Sequence, residues 1–296
     1  MSLDHTRSRE SLDVSTADGT TFRLHISPGA DAGRPAVLLL PAMGMKAKHY
    51  LVLADALADV GFAVASCDLR AQGDARPRLG DAENFGYREM LENDLPAITG
   101  ALRRHLDAPQ VHLIGHSLGG QLSLLYAGAR PDEIGSVAVV ATGTVFWRAF
   151  DLRRQFEILW QTQWIGAVAR VRGRWPGGVA IPAPMAGGVM VDWSMQALTG
   201  RYRVGGSAHD YNHTLARLDR PVLMVSLADD ALGPKSTVDH LAGRMPSAPI
   251  SHWHLSGPGP IRSGDHFAWL KDSSALAAQY GAWFDTAVGP RDPGAR

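Results

Sequence analysis

The feature that most constrains the fold is a short apolar strand that runs directly into a helix through Gly115-His116-Ser117-Leu118-Gly119. Residues 111–115 are mostly apolar, as a buried strand requires, and residues 118–129 have helical periodicity. The two glycines leave room for a sharp turn in which the serine backbone is strained and its hydroxyl is exposed. This pattern predicts a nucleophilic Ser117 at the start of a helix, where free N–H groups stabilise negative charge.

The rest of the chain alternates apolar runs of strand length with longer amphipathic stretches, which is typical of an α/β fold with a mainly parallel sheet. The pattern predicts a helix at 87–106, which Pro96 should kink or split. A hairpin around Asp18-Gly19 should begin the sheet. Eight strands are predicted, at residues 11–16, 21–27, 36–43, 62–69, 111–115, 136–142, 221–227 and 250–255.

Composition excludes several other classes of protein. The 296 residues carry 29 basic and 29 acidic side chains, so no net charge favours nucleic-acid binding. The single cysteine, Cys67, cannot form an internal disulfide or a cysteine zinc site. No metal-binding or nucleotide-binding motif is visible, and we expect neither a metal nor a cofactor. Without an apolar leader or a run near the roughly 20 residues that span a bilayer, the chain is expected to be cytoplasmic, with no transmembrane segment.

A serine hydroxyl needs a base to become a nucleophile, and the base needs an acid to orient it. The expected chain order is serine, acid, histidine. Asp229 and Asp230 both follow the strand at 221–227, and His266 follows the last strand. The order and position of His266 favour it as the base over His209 and His213, which lie earlier, in an irregular part of the chain.

The negative oxygen of a tetrahedral intermediate requires two backbone donors. The Leu118 amide, directly after the nucleophile, should supply one of them. The other should come from the loop after the first buried parallel strand, residues 41–45.

The strand–helix alternation breaks between residues 144 and 217, which are predicted to form an inserted, mostly helical lid; residues 1–143 and 218–296 form the core. The insertion has eight arginines and three acidic residues between positions 147 and 203. These arginines either form a solvated helix face or favour an anionic substrate such as a coenzyme A thioester. Its tryptophans either line an acyl or aromatic pocket or anchor the lid on the core. The pocket candidates are His116, Trp147, Trp160, Trp164 and Trp193.

With these residues in place, the chain resembles the α/β-hydrolase superfamily over nearly its whole length. The loop LLLPAMG is similar to the oxyanion loop of the family, with Pro41-Ala42 where His-Gly is usual, and this match makes Met43 the second donor. The family's catalytic acid lies four residues before a proline, which matches Asp230 and Pro234 and not Asp229. Asp68-Leu-Arg70-Ala-Gln-Gly resembles a structural turn of the family, with Ala71 in place of a glycine.

The insertion is similar to the lid of hydrolases grouped with serine aminopeptidases and lysophospholipase-like proteins. The resemblance spans residues 147–202 and includes VRGRWPGG, GGVMVDWSMQ and GRY. It implies an α/β-hydrolase fold with a central, mostly parallel eight-stranded sheet, flanking helices and a lid.

The combined pattern predicts a serine hydrolase that cleaves a carboxylic ester or thioester with Ser117, Asp230 and His266. The substrate is expected to be a small molecule, including an acyl group bound to a carrier, and a homodimer is compatible with the sequence. The same three residues would also serve an acyltransferase, a perhydrolase, or an amide or peptide hydrolase. A non-catalytic receptor is disfavoured because nucleophile, acid and base are all present in the expected order.

Overall fold

The computed structural model describes residues 9–30, 34–178, 181–256, 259, 261 and 264–288. Its main sheet has eight strands in the order β1-β2-β4-β3-β5-β6-β9-β10. β1 pairs antiparallel with β2 and β2 antiparallel with β4, whereas the other neighbours are parallel. The strands are β1 (Glu10–Ser15), β2 (Thr21–Ser27), β3 (Ala36–Leu40), β4 (Ala63–Cys67), β5 (Val111–His116), β6 (Ile134–Val140), β9 (Val222–Leu227) and β10 (Ile250–Leu255), with the short β7 (Arg174–Trp175) and β8 (Met185–Ala186) forming a separate hairpin.

The predicted mostly parallel sheet of eight strands is confirmed, with bounds that shift by a few residues. The strand at 36–43 ends earlier, because the chain turns away at Pro41 into the loop that precedes the first helix. The strand at 136–142 begins and ends two residues earlier than expected. These shifts move no strand to another place in the sheet.

Helices cover the sheet and form most of the insertion. The helix expected at 87–106 is divided by a π-helical turn at Met90–Asp94 just before Pro96, and the expected closing helix begins as a 3₁₀ helix, Ala268–Leu276. Further 3₁₀ turns lie at Ala47–Tyr50 and Trp147–Ala149. The α-helices are α1 (Leu51–Asp59), α2 (Tyr87–Glu89), α3 (Leu95–His105), α4 (Leu118–Ala129), α5 (Leu152–Arg172), α6 (Gly187–Thr199), α7 (Tyr211–Ala216), α8 (Lys235–Ala242) and α9 (Ala277–Val288).

Two apolar layers hold the sheet in the middle of the protein. Along β3, Val37 and Leu39 pack into one layer, whereas Leu38 and Leu40 pack into the other. This alternation follows from the two-residue period of a strand that is buried on both faces. The loops at the carboxyl ends of β3, β5, β9 and β10 therefore emerge together at one edge of a rigid sheet.

Residues 144–217, the predicted insertion, consist mainly of α5, the β7–β8 hairpin and α6. α5 packs closely on α6 at Gly166. A Cβ at this position would lie only 2.2 Å from the Ser194 hydroxyl oxygen. The short α7 that follows packs on α4 of the sheet layer, where a Cβ at Gly128 would lie 2.9 Å from the Thr214 carbonyl oxygen. Within the described part of the chain, no helix is long and apolar enough to cross a membrane.

The turn after β4 has the structural geometry that its sequence predicts. The Asp68 carboxylate accepts hydrogen bonds from the Ala47 amide at 2.7 Å and the Asp74 amide at 2.8 Å. Ala71, which stands where the family has a glycine, adopts a φ of 60°. Arg70 forms an ion pair with the buried Asp94. The turn thereby fixes the loop that precedes α1.

Candidate active site

Ser117 lies at the sharp turn between β5 and α4, with φ 52° and ψ −114°. Positive φ is unfavourable for a residue with a side chain, so this backbone must be held by its surroundings. The flanking glycines make that possible: a Cβ at Gly115 would lie 2.4 Å from the Gly120 Cα, and one at Gly119 would lie 2.4 Å from the Leu40 carbonyl oxygen. The Ser117 amide donates to the Val140 carbonyl at 3.1 Å, which ties the turn to the neighbouring strand.

Two backbone amides are available next to Ser117. In the loop after β3, the Ala42 amide donates to the Tyr50 hydroxyl and the Gly44 amide donates to Gln72 Oε1, both at 2.9 Å. Those two bonds fix the loop on either side of Met43. The Met43 and Leu118 amides themselves donate to no residue within the described parts of the chain, and both residues line the same cavity as Ser117.

The structure brings Asp230 and His266 together. His266 Nδ1 lies 2.8 Å from Asp230 Oδ2 and 2.9 Å from Oδ1. The Leu232 and Gly233 amides donate to Asp230 Oδ1 at 2.9 and 2.7 Å, and both the carboxylate and the imidazole are buried. Asp229 is exposed, and its carboxylate lies beside Gly264. A carboxylate held in this way fixes the ring orientation of the histidine and leaves Nε2 for chemistry.

Aromatic rings enclose His266. Phe267 meets its ring edge-on with centroids 4.8 Å apart, and the His116 ring lies 5.1 Å away. His116 Nδ1 is 2.7 Å from the Tyr50 hydroxyl, which already accepts from the Ala42 amide. Burial and the neighbouring His266 lower the pKa of His116 well below its ordinary value. A neutral His116 thus lies between the loop around Met43, which it reaches through Tyr50, and the imidazole of His266.

An apolar cavity of about 350 Å³ opens above Ser117 and His266. The core contributes the loop around Met43 and the residues after β6, and the insertion closes the other side. Contacts across the cavity are close, since a Cβ at Gly44 would lie 2.5 Å from the Ala183 Cβ. The residues that the insertion contributes are Thr144, Val145, Phe150, Ile158, Gln161, Thr162, Ile165, Ile181, Pro182, Ala183 and Trp193.

Of the five side chains expected in the pocket, only Trp193 lines this cavity. His116 lies behind the site, bonded to Tyr50, and Trp147 packs against Phe146 and Phe156. Trp160 and Trp164 stack on each other on the outer side of α5 and are mostly exposed. Trp160 and Trp164 lie outside the cavity because the cavity-facing side of α5 carries Ile158, Thr162 and Ile165 instead.

Sequence reasoning missed Tyr50, Gln72 and the loop at 181–183. Tyr50 and Gln72 act on backbone amides of a distant loop, through pairings that no spacing rule indicates. Residues 181–183 follow the β7 segment in a proline-rich link whose path over the core depends on packing. A proline-rich composition predicts a loop but not what the loop covers.

A second, larger cleft of about 760 Å³ lies elsewhere on the surface. It is lined by the residues between α6 and α7 and by the end of α8, including Arg201, Arg203 and Arg244, and it shares no lining residue with the cavity at Ser117. Most of its side chains are exposed, so it lacks the enclosed apolar wall expected of a reaction site. Among the residues that the structure describes, no three His, Cys, Asp or Glu side chains are grouped as metal ligands.

Comparison with known proteins agrees with this architecture. The family model described as the alpha/beta hydrolase fold matches residues 35–179, which include Met43, Ser117 and α5. The solved structure of DcsB in complex with its substrate analogue superimposes with a TM-score of 0.66 over 95% of this chain and 99% of that one, at 18% identity. The similarity to DcsB is one of fold.

Two curated relatives differ in how much they share with this chain. A Caulobacter vibrioides protein with the provisional name carbamate hydrolase RutD is 26% identical, over 84% of this chain and 91% of its own length. The dihydrolipoyllysine-residue acetyltransferase component of the acetoin cleaving system of Pseudomonas putida is 34% identical, over 38% of this chain. That match spans only 28% of the acetyltransferase component.

Proposed function

The chain belongs to the α/β-hydrolase superfamily, and from that premise we propose that it is a serine hydrolase that cleaves a carboxylic ester or thioester. The observation that carries the proposal is the pairing of His266 with the buried Asp230 beside the cavity that Ser117 enters from a strained turn. A strained, partly exposed serine that lines the same cavity as an oriented imidazole is the arrangement that nucleophilic acyl transfer requires.

Acylation begins when Ser117 Oγ attacks the substrate carbonyl carbon and His266 Nε2 takes the hydroxyl proton. Asp230 holds Nδ1–H and stabilises the imidazolium that forms. The carbonyl oxygen becomes an oxyanion that accepts hydrogen bonds from the Met43 and Leu118 amides. His266 then returns the proton to the alcohol or thiol as the bond to the leaving group breaks, which leaves the acyl group on Ser117.

Deacylation repeats the same steps with water. His266 removes a proton from a water molecule, the resulting hydroxide attacks the acyl carbon, and the Met43 and Leu118 amides again hold the oxyanion. Collapse of this intermediate returns the proton to Ser117 Oγ and releases the carboxylic acid. Neither half-reaction needs a metal or a cofactor to balance its atoms or charges.

We further propose that residues 144–217 act as a lid over one hydrolase core. Support comes from the cavity wall, because α5, the loop at 181–183 and Trp193 of α6 all face Ser117. The lid supplies apolar contacts and excludes water, whereas the core supplies the reacting groups. An apolar wall without an unpaired charge suits an acyl or aryl group, and the cavity volume is at the small end for ligand pockets.

The test is a panel of p-nitrophenyl esters of graded chain length, matched acyl thioesters, and aryl carbamates. The proposal expects turnover of esters or thioesters, with the highest kcat/KM at short or medium acyl chains. A protein that hydrolyses only the carbamates, the chemistry in the provisional name of the Caulobacter relative, would overturn the ester assignment.

Adding an alcohol, an amine or peroxide to the same assays separates hydrolysis from transfer. Free carboxylic acid as the main product supports hydrolysis. Acyl transfer to the added nucleophile as the main reaction would instead support the acyltransferase or perhydrolase alternative. The partial similarity to an acetyltransferase component gives a reason to include this arm.

A further inference from the structure

The outward side of α5 is an unpartnered apolar surface. Its outer face consists of Leu152, Phe156, Trp160, Trp164 and Val171, which are 82, 78, 72, 56 and 86% exposed. The first four recur every four residues, so they form one stripe about 18 Å long, given a rise of about 1.5 Å per residue. Side chains of this size are normally buried, and a contiguous exposed set marks an interaction surface.

The aromatic members of the outer face are ordered against one another. The Trp160 and Trp164 rings are stacked, 6.4 Å apart at an interplanar angle of 16°. Phe156 contacts Trp147. The Arg148 guanidinium lies over the Trp147 ring, 4.8 Å from the ring centroid. The stripe is therefore continuous from the beginning of α5 past its middle, and an arginine borders it.

Positive charge surrounds this stripe. Residues 148–174 contain six arginines and two acidic residues, Asp151 and Glu157. Glu157 accepts from Gln161 and faces Arg154. The carboxyl end of the helix carries Arg170 and Arg172, and Arg174 follows in β7, without a nearby acid in sequence. Apolar aromatic residues flanked by arginines are typical of helices that lie in the interface of an anionic bilayer.

The same charges disfavour pairing with a second copy. A two-fold axis at the middle of α5 would place Arg153 of one chain opposite Arg170 and Arg172 of the other. A parallel arrangement would bring each arginine beside its own copy. Like charges facing each other in an interface are unfavourable, whereas anionic headgroups would complement every one of these arginines.

The start of α5 also adjoins a loop that lines the cavity. Arg154 donates to the Ala231 carbonyl, which joins the start of α5 to the loop that carries Asp230. On that loop Leu232 lines the cavity and is half exposed, as is Phe267 after His266. Two exposed apolar side chains therefore belong to loops that line the cavity.

We propose that the outer face of α5 docks on an anionic lipid bilayer, with Trp160 and Trp164 in the interface and the flanking arginines on the headgroups. α5 then lies parallel to the membrane plane and the cavity mouth faces the lipid surface. Docking does not depend on hydrolysis, so it can be tested separately from the proposed activity.

The test is co-sedimentation of the full chain, as the Ser117→Ala variant to prevent turnover, with vesicles. We expect binding to phosphatidylcholine vesicles that contain phosphatidylglycerol, and much weaker binding to phosphatidylcholine alone or at high salt. The double variant Trp160→Gln/Trp164→Gln should weaken binding at least about tenfold. A loss of about 1.4 kcal/mol of binding free energy produces a tenfold change in affinity. Each of Arg170→Gln and Arg172→Gln should weaken binding by about fivefold.

Leu198→Gln is the matched control, because Leu198 is an exposed apolar residue of the same insertion that lies on α6. It should bind as tightly as the parent, and unchanged melting temperatures show that each variant is folded. Three results would overturn the proposal: no binding to anionic vesicles, equal binding by the double tryptophan variant, or a dimer in sedimentation velocity that this variant abolishes. Preferential capture of an acidic acyl carrier protein over vesicles would also overturn it.

Discussion

The core and the insertion place their aromatic and titratable residues in opposite ways. In the core, Trp269 is fully buried, and the His266–Asp230 pair is enclosed and hydrogen bonded. In the insertion, Trp160 is 72% exposed on a helix whose other side forms a cavity wall. The difference indicates that the core holds its titratable pair in a fixed position, whereas residues 144–217 present two surfaces, one to the cavity and one to solvent.

The largest expected effect is the loss of activity on substitution of Asp230, which should not occur on substitution of its neighbour Asp229. Asp230→Asn should lower kcat by about 10⁴, because His266 loses the partner that sets its tautomer and orientation. Asp229→Asn, one residue away and exposed, is the matched control and should retain nearly full activity. Steady-state kinetics on one p-nitrophenyl ester measures both variants, and equal losses would remove the distinction between them.

A second prediction tests the close packing of the core turn. Gly119→Ala places a Cβ 2.4 Å from the Leu40 carbonyl oxygen and 2.6 Å from that of Pro41, so it should lower the free energy of unfolding by about 3 kcal/mol. Gly100→Ala in α3 meets only the flexible Arg104 end at 3.4 Å and should leave stability equal or raise it by about 0.5–1 kcal/mol. Denaturant unfolding measures both. Equal free energies of unfolding for Gly119→Ala and Gly100→Ala would contradict the close packing of the turn at Ser117.

A third prediction concerns the inner side of the insertion. Trp193→Ala should raise KM for a water-soluble aryl ester by about three- to tenfold with a smaller change in kcat, since it removes roughly 1 kcal/mol of uniform binding. Leu198→Ala, on the same helix but exposed, controls for the loss of an apolar side chain. A loss confined to kcat would instead assign the insertion a part in the chemical step.

The smallest effect is a pH dependence of stability. Burial and the nearby His266 lower the pKa of His116 below its ordinary 6.5, so below that pH the unfolded chain binds more protons than the folded one. The free energy of unfolding should therefore fall as pH drops below about 6.5, with a contribution of at most about 1.4 kcal/mol per pH unit.

His116→Gln should flatten that part of the stability profile. His209→Gln, in the exposed part of the insertion, controls for the removal of a histidine. Urea unfolding from pH 7 to 5 gives both slopes. If the two variants changed the slope equally, His116 would not be the source of it.

The sequence predicts the core better than it predicts the insertion. The eight strands and the turn at Ser117 could be predicted because buried strands leave continuous apolar runs and the turn requires glycines at fixed positions. The role of α5 could not, because its apolar residues occupy most of its circumference. A helical period alone cannot tell which side of such a helix packs inward, and for this reason the sequence could not show that Trp160 and Trp164 lie on the outward side of α5.

The most direct test of the central proposal is labelling with a fluorophosphonate probe followed by peptide mapping. We expect one stoichiometric adduct on Ser117 in the unsubstituted protein. Ser117→Ala should form no adduct and lose hydrolysis by about 10⁴-fold or more, and Asp230→Asn should be labelled much more slowly. An adduct on another residue, or near-normal hydrolysis by Ser117→Ala, would contradict it.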